Sequence, residues 1–426
     1  ARRYRADAPW SITAASRRIL RNGADMPMAH RGALEGLKVI DLSRVLGGPY
    51  CGQMLADHGA DVIKIEPPQG DETRLWGPPF DKEGISAYFA GINRNKRKIA
   101  LDLSKPEGRD VLLKLLETAD VLIDNFKTGT MEKWGIGYHD TLAEKFPRLV
   151  HARVSGFGED GPLGGFPGYD AMIQASAGLV SVNGSAEGGP VRIGVPVVDL
   201  STGMNATIGI LMALYERNRS GKGQFVDATL YDSAVALHQP HAPNYFVGGQ
   251  KPKLVGNSHG SLVPYANFPT KGRNIAIAAG NDGQFRKLCQ MLGKPELADD
   301  PRFRTNKERV VHRLELEAEL RPLLKDRDAD AFSVELMKGG VPSGAVLEVP
   351  DVMEHPHTKH RDMVWEKDGY RNVGNPVKLS RTPPAVRSKP KKFGTDTRAV
   401  LAEAGYSAAE IDRLIATGIA LTEIRK

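Results

Sequence analysis

Cysteine is nearly absent from this chain: Cys51 and Cys289 are the only two in 426 residues. They cannot form a disulfide framework, and they lack the paired spacing of a zinc site. A reducing compartment and no metal site are therefore expected: the cytoplasm for a bacterial source, the mitochondrial matrix for a eukaryotic one. No uninterrupted apolar run approaches the roughly 20 residues of a membrane span, so no membrane partner is expected. No G-x-G-x-x-G follows the first apolar run. The turn there is Ser43-Arg44-Val45-Leu46-Gly47-Gly48-Pro49, which does not indicate a dinucleotide cofactor. Net positive charge is small outside one end. Of the net +7, residues 1–25 supply +4 through six arginines set against Asp7 and Asp25. The remaining excess is too small for the basic face of a nucleic-acid binder, and it suits anionic small molecules.

What is present is an alternation of short apolar runs with amphipathic stretches. Strands are expected at Leu37–Leu42, Val62–Ile65, Lys98–Leu103, Val121–Ile123, Leu149–Val154, Val195–Val198 and Gln224–Leu230. Helices are expected at Pro49–His58, Ile85–Ile92, Glu107–Ala119, His139–Phe146 and Thr202–Arg217. This alternation predicts an α/β fold with a parallel sheet covered on both faces. The length exceeds one compact core and predicts two domains. After about residue 240 a strand at Ile275–Ala279 and helices at Gly283–Leu292, Val310–Leu324 and Ala329–Lys338 suggest a smaller α+β domain. A proline-rich, basic stretch over 361–395 precedes tail helices at Thr397–Ala404 and Ala408–Thr417.

Asp199 ends the Val195–Val198 run and precedes a helix. Its plain role is a helix N-cap. The same position suits catalysis, because backbone N–H groups at a helix start stabilise a nucleophilic carboxylate and then an oxyanion. Asp170 follows Gly168-Tyr169 and reads first as the cap of the stretch AMIQASAGLV, second as a companion carboxylate to Asp199. Spacing alone does not bring the two together. Arg74 and Trp76 within GDETRLWGPPF can pair with and stack on an adenine nucleotide, or can line a solvated loop. The run Asn93-Arg94-Asn95-Lys96-Arg97-Lys98 is a solvated face by default, and a phosphate site if it lies at the ligand edge of a parallel sheet. Gly256-Asn257-Ser258-His259-Gly260 is a glycine-flanked loop suited to a lid. Its His259 is either simply exposed or acts on a substrate carboxylate.

Seven segments in order carry a family resemblance: LEGLKVIDLSRVLGGPYCGQMLADHGADVIKIEPP, GDETRLWGPPF, NRNKRKIALDL, DVLIDNFKTGTMEKWG, VSGFGEDGPLGGFPGYDAMIQASAGL, GVPVVDLSTGM and GKGQFVDATLYDSA. Together they resemble the class III CoA-transferases, the family of formyl-CoA transferase and carnitine CoA-transferase. GDETRLWGPPF and HGSLVPY look most like its succinyl-CoA:glutarate branch. The resemblance implies that Asp199, in a D-x-x-(S/T)-G context with Thr202 and Gly203, is the covalent nucleophile. It implies CoA contacts at Arg44, Val45, Arg74, Asn95, Lys96, Arg97, Asn125, Phe126 and Lys133, with Tyr169, Asp170, His259 and Gly260 near the substrate. Leu46 and Pro67 depart from the family pattern and argue against a formyl or oxalyl substrate.

The implied architecture is a Rossmann-like large domain plus a small α+β domain in an interlocked homodimer. Residues 1–33 would be an extension compatible with disorder. Residues 34–235 would form the first part of the large domain, 236–255 a linker, 256–355 the small domain, and 356–426 a linker and return to the large domain. The composition of 1–25 matches a transit segment, a native extension or an appended remnant. Coenzyme A would act as a substrate, with no tightly bound cofactor, and the partners would be acyl-CoA and carboxylic acids. Two other readings remain. The α-methylacyl-CoA racemases resemble the chain over the same length, but Tyr169 stands where they place a histidine base. Tyrosine, with a reference pKa near 10, is a poor proton shuttle at neutral pH. A non-catalytic acyl-CoA-binding protein would not need Asp199 in this context.

Overall fold

A computed structural model describes residues 32–425; the expectations for residues 1–31 lie outside it. Up to Thr229 the chain forms β1 (Lys38–Asp41), α1 (Gly47–Asp57), β2 (Asp61–Glu66), α2 (Ala87–Ile92), β3 (Lys96–Leu101), α3 (Pro106–Leu116), β4 (Val121–Asp124), α4 (Thr130–Lys133), β5 (Val150–Ser155), α5 (Asp170–Ser176), α6 (Val197–Ser220) and β6 (Phe225–Thr229). Val39 and Ile40 point to opposite faces of β1, and both are fully buried. That is the signature of a sheet covered on both sides. One face packs on α3 through Val111, Leu112 and Leu115. The other packs on α1 and α6 through Cys51, Leu55, Ala206 and Ile210.

The second unit is antiparallel. Strands β7 (Tyr265–Phe268), β8 (Ile275–Ala278) and β9 (Ser343–Ala345) pair in the order β9-β8-β7. Helices α7 (Asp282–Met291), α8 (Arg313–Leu324) and α9 (Ala329–Lys338) close a separate core around Phe268, Phe285 and Leu320. A hairpin of β10 (Val364–Lys367) and β11 (Tyr370–Val373) follows, then α10 (Thr397–Glu403), α11 (Ala408–Ala416) and β12 (Ala420–Leu421). Strand β12 pairs antiparallel with β3, so the chain's end completes the large sheet, whose order is β12-β3-β2-β1-β4-β5-β6. Every other neighbouring pair in it is parallel.

Two expectations are corrected. Val195–Val198 is not a strand: α6 begins at Val197, because its first turn is capped from elsewhere in the fold. The absence of an apolar span also needs restating, since α6 is long and apolar enough to cross a membrane by length and composition. Here one side of it lies against α1, β5 and β6.

Candidate functional site

In a doubly wound parallel sheet, ligands bind beyond the strand C-termini where the strand order reverses direction. Here that point lies between β1 and β4, which are neighbours although the chain leaves β1 for β2 on its other side. The turn after β1 and the segment after β4 meet there. Asn125 accepts from the Arg44 N–H at 2.8 Å and donates to the Arg44 carbonyl at 2.7 Å. From beneath, the Lys64 ammonium donates to the Ser43 carbonyl at 2.5 Å and pairs with Asp71 at 3.0 Å, with neither side chain exposed. This fastening holds Val45 at φ 68°, a left-handed conformation that a β-branched residue adopts only when its surroundings impose it. The Arg44 side chain reaches outward to Glu72 at 2.9 Å. Phe126 packs edge-on against Trp134 with centroids 5.4 Å apart, and Lys133 is exposed at the end of α4. Arg44, Val45, Asn125, Phe126 and Lys133 thus lie along the turn after β1 and the segment after β4.

The other expected CoA contacts are placed differently. Asn95, Lys96 and Arg97 enter β3, so they stand at the opposite end of the parallel strands. Lys96 is fully buried and donates to Asp41 at 2.9 Å and to the Pro49 carbonyl at 2.7 Å. Burial opposes ionisation of Asp41, but Lys96 and Lys64 outweigh it and hold that carboxyl below its usual range. Arg97 pairs with Asp61 and Glu403, both at 2.5 Å. Asn95 donates to Asp57 and to the Ala385 carbonyl, both at 2.8 Å. Arg74 does lie beyond the C-terminus of β2, but Glu66 holds its guanidinium with two bonds of 2.6 and 2.7 Å, and the Phe89 ring lies 3.7 Å beneath it. Trp76 remains exposed, its ring 5.0 Å from that of Tyr88.

Asp199 is not the N-cap of its helix. Pro196 takes that position, and Asp199 is the third residue of α6. The missing cap comes from Asp170, whose Oδ2 accepts from the N–H groups of Val198 at 2.8 Å and Asp199 at 3.1 Å. Asp170 therefore caps α6 and not its own helix α5, and the two aspartates that spacing could not join are adjacent. Gln174, one turn along α5, is fully buried and donates to Asp170 Oδ1 at 2.6 Å. Glycine forms the facing wall: a Cβ at Gly47 would lie 3.3 Å from the Asp199 carbonyl and 3.6 Å from its Oδ1. Burial first, and then the Asp170 charge, push the Asp199 carboxyl up to about 7. Such a group is half ionised near neutrality and poorly solvated, which suits a carboxylate nucleophile.

Tyr88 on α2 lies near enough to the two aspartates to feel their charge, which the sequence did not reveal. Burial, then Asp199, Asp170 and Asp71 in turn, push its phenol up to about 12, so it stays protonated beside the carboxylates. Only an exposed aromatic motif next to it, GDETRLWGPPF, hinted at its surroundings. Tyr169 is largely exposed and is the N-cap residue of α5. His259 and Gly260 lie on the small-domain side. The His259 ring stacks on Tyr265 at 5.2 Å, and the Arg313 guanidinium donates to the carbonyls of His259 at 2.7 Å and Gly260 at 3.3 Å. Among the described residues no cluster of three His, Cys, Asp or Glu side chains could hold a metal ion.

The pattern that defines CoA-transferase family III matches residues 34–397. A protein of Agrobacterium fabrum described as succinate–glutarate CoA-transferase is 39% identical over 391 residues, covering 89% of this chain and 97% of its own. A mouse succinyl-CoA:glutarate CoA-transferase is 38% identical over 401 residues, covering 91% of this chain and 90% of its own. The crystal structure of a CaiB/BaiF family protein from Brucella suis superposes with a TM-score of 0.81 at 41% identity, covering 88% of this chain and 100% of that one.

Proposed function

Since the chain belongs to CoA-transferase family III, we propose that it moves CoA from succinyl-CoA to a dicarboxylate such as glutarate, with Asp199 as the covalent nucleophile. The observation that carries this reading is the Asp199 carboxyl itself: half-buried, walled by Gly47, which follows the fastened Arg44–Val45 turn in the chain, and pushed up to about 7. The substrate pair rests on the names borne by the bacterial and mouse relatives.

The reaction requires four displacements. An Asp199 oxygen attacks the donor thioester carbonyl; the C–S bond breaks, CoA thiolate leaves, and an aspartyl–succinyl anhydride forms. The thiolate attacks the Asp199 carbonyl carbon, expels succinate, and leaves an aspartyl-CoA thioester. The acceptor carboxylate attacks the same carbon and expels the thiolate, giving an aspartyl–acceptor anhydride. The thiolate then attacks the acceptor carbonyl and frees the Asp199 carboxylate. No net proton moves, so the chain needs no further acid or base, only exclusion of water from the anhydrides and the thioester. On this reading Arg44, Phe126 and Lys133 meet CoA, Asn125 holds the turn that does so, and the loop with His259 and Gly260 closes over the acyl group. Asn95, Lys96, Arg97 and Arg74 contribute by keeping the surrounding fold in place.

Incubation with succinyl-CoA followed by mass spectrometry should find a CoA thioester on the peptide containing Asp199. Asp199→Ala and Asp199→Asn should show neither the adduct nor transfer to glutarate. Turnover near the wild-type rate in either variant would remove the assignment. An interlocked homodimer is part of the same reading. Its support is the outward side of α6, where Met204, Ile208, Leu211, Met212 and Tyr215 are exposed together; a contiguous apolar patch on one helix face is the kind of surface a second chain covers.

A further inference from the structure

Asp199 does not hold its own position. Its backbone is held by Asp170, and Asp170 is held by Gln174. The Gln174 amide is fully buried and every part of it is used. Its Nε2 donates to Asp170 Oδ1 at 2.6 Å and to the Ile193 carbonyl at 3.3 Å, while its Oε1 accepts from the Ile193 N–H at 2.8 Å. The orientation is fixed by chemistry, because only the NH2 end can donate to a carboxylate and only the carbonyl end can accept from an N–H. The second oxygen of Asp170 then takes the N–H groups of Val198 and Asp199. One side chain thus joins three things: the companion carboxylate, the first turn of α6, and the loop of Val191, Arg192 and Val195, all exposed. The Asp199 carboxyl feels the Asp170 charge, and the Tyr88 phenol on α2 feels both; Arg192 is the cation on the gripped loop.

We propose that Gln174 is a positioning residue for the transfer reaction: through Asp170 it aims the Asp199 carboxylate, and through Ile193 it couples that aim to the Val191–Val195 loop. Its N–H bond to Oδ1 fixes the carboxylate plane and so turns Oδ2 toward the first turn of α6. Without the amide, Asp170 Oδ1 has lost its donor inside the protein, and the start of α6 is no longer held at one angle. The proposal rests on Asp199 being the nucleophile.

Two variants test it, with the rate of Asp199 adduct formation from succinyl-CoA followed against pH. Gln174→Met keeps the length and removes all three bonds. It should lower kcat by about 10–100-fold at every pH, with KM for succinyl-CoA and glutarate changed by less than about threefold. Gln174→Glu keeps the shape and makes the bond to Asp170 conditional. The introduced carboxyl donates to Asp170 while protonated, and loses that bond and repels both aspartates once ionised. The wild-type profile should rise through about pH 7, where Asp199 ionises, to a plateau. The Gln174→Glu profile should be a lower bell with a descending alkaline limb. A Gln174→Glu profile that superimposes on wild type, or a folded Gln174→Met with full kcat, overturns the proposal. If Gln174→Met does not fold, as judged by circular dichroism, the shape of the Gln174→Glu profile decides alone. A wild-type enzyme that transfers CoA with no adduct on Asp199 removes the functional reading itself; a wild-type adduct with unchanged variants removes only the role of Gln174.

Discussion

The Asp199 carboxyl is pushed up to about 7 by burial and by Asp170, above its unfolded value of about 4, and that displacement has a thermodynamic sign. A carboxyl whose folded pKa exceeds its unfolded pKa destabilises the fold. The cost is absent below the unfolded value near 4, grows between about 4 and 7, and is fully present above about 7. Asp199→Asn, which cannot ionise, should therefore melt several degrees above wild type at about pH 8, with the gap closing toward about pH 4. A thermal scan at the two pH values checks this, and a gap that does not change with pH would contradict it. If Asp199 is the nucleophile, the same ionisation should set the acid limb of donor reactivity near neutrality. Residues in the Asn93–Lys98 run show how far local sequence can mislead at this scale. A cluster of bases reads as a surface or a phosphate site, yet Arg94 is buried against Asp57 at 2.7 Å and Lys96 against Asp41. What decides is the partner carboxylate, which comes from a distant part of the chain and leaves no trace in the cluster's own spacing.

At the scale of elements, the D-x-x-(S/T)-G pattern around Asp199 has a packing explanation. Thr202 bonds back to the Val198 carbonyl at 2.7 Å within α6, which satisfies its buried hydroxyl. Gly203 lets α1 approach: a Cβ there would stand 2.6 Å from the Gly47 carbonyl and 3.2 Å from the Tyr50 ring. Backbone oxygen cannot move aside as a flexible side chain can, so Gly203→Ala should separate α1 from α6. The expected cost is about 1–3 kcal/mol of stability and, because Asp199 rides on α6 and the Arg44 turn leads into α1, at least about tenfold in kcat. Urea unfolding and steady-state kinetics measure the two. Gly344→Ala, where the added carbon meets open space, is the control and should leave both unchanged. The start of α6 was the least legible boundary in this region. Val195 to Val198 are β-branched or proline and favour extended backbone, and the helix begins at Val197 only because Asp170, from another element, supplies its cap.

At the scale of the whole molecule, the chain returns to where it began. After the small domain, Arg94 donates to the Val373 carbonyl at 2.8 Å, Asn375 donates to Asp57 at 3.2 Å, and Asn95 accepts from the N–H groups of Arg387 and Ser388 at 2.6 and 2.9 Å. These bonds fasten the returning segment before β12 joins β3. The core on the α3 side of the sheet is thereby completed by Val400, Leu401, Ile411, Leu414 and Ile419, from a segment that pairs with β3 across more than 300 residues. The exposed apolar side of α6 and the exposed Tyr245, Phe246 and Val247 lie outside those cores. A second copy of the chain covering them would give a mass twice the 46.3 kDa of the chain. Sedimentation should find that mass, and threaded chains should hold it on dilution to nanomolar concentration; a monomer at micromolar concentration would exclude the dimer.

The sequence by itself determined what periodicity and composition can carry. It specified the alternation of strands and helices, the parallel sheet they imply, and seven ordered segments that point to one enzyme family. It also placed Asp199 in its motif. Only the tertiary structure decided which groups stand near that carboxyl: Asp170 as the cap of a foreign helix, Gln174 behind it, Gly47 facing it, and Tyr88 near enough to feel its charge. The physical reason is that hydrogen bonding, burial and charge act through space. Residues 29 positions apart in the chain bond at 3.1 Å, and local pattern holds no record of that distance.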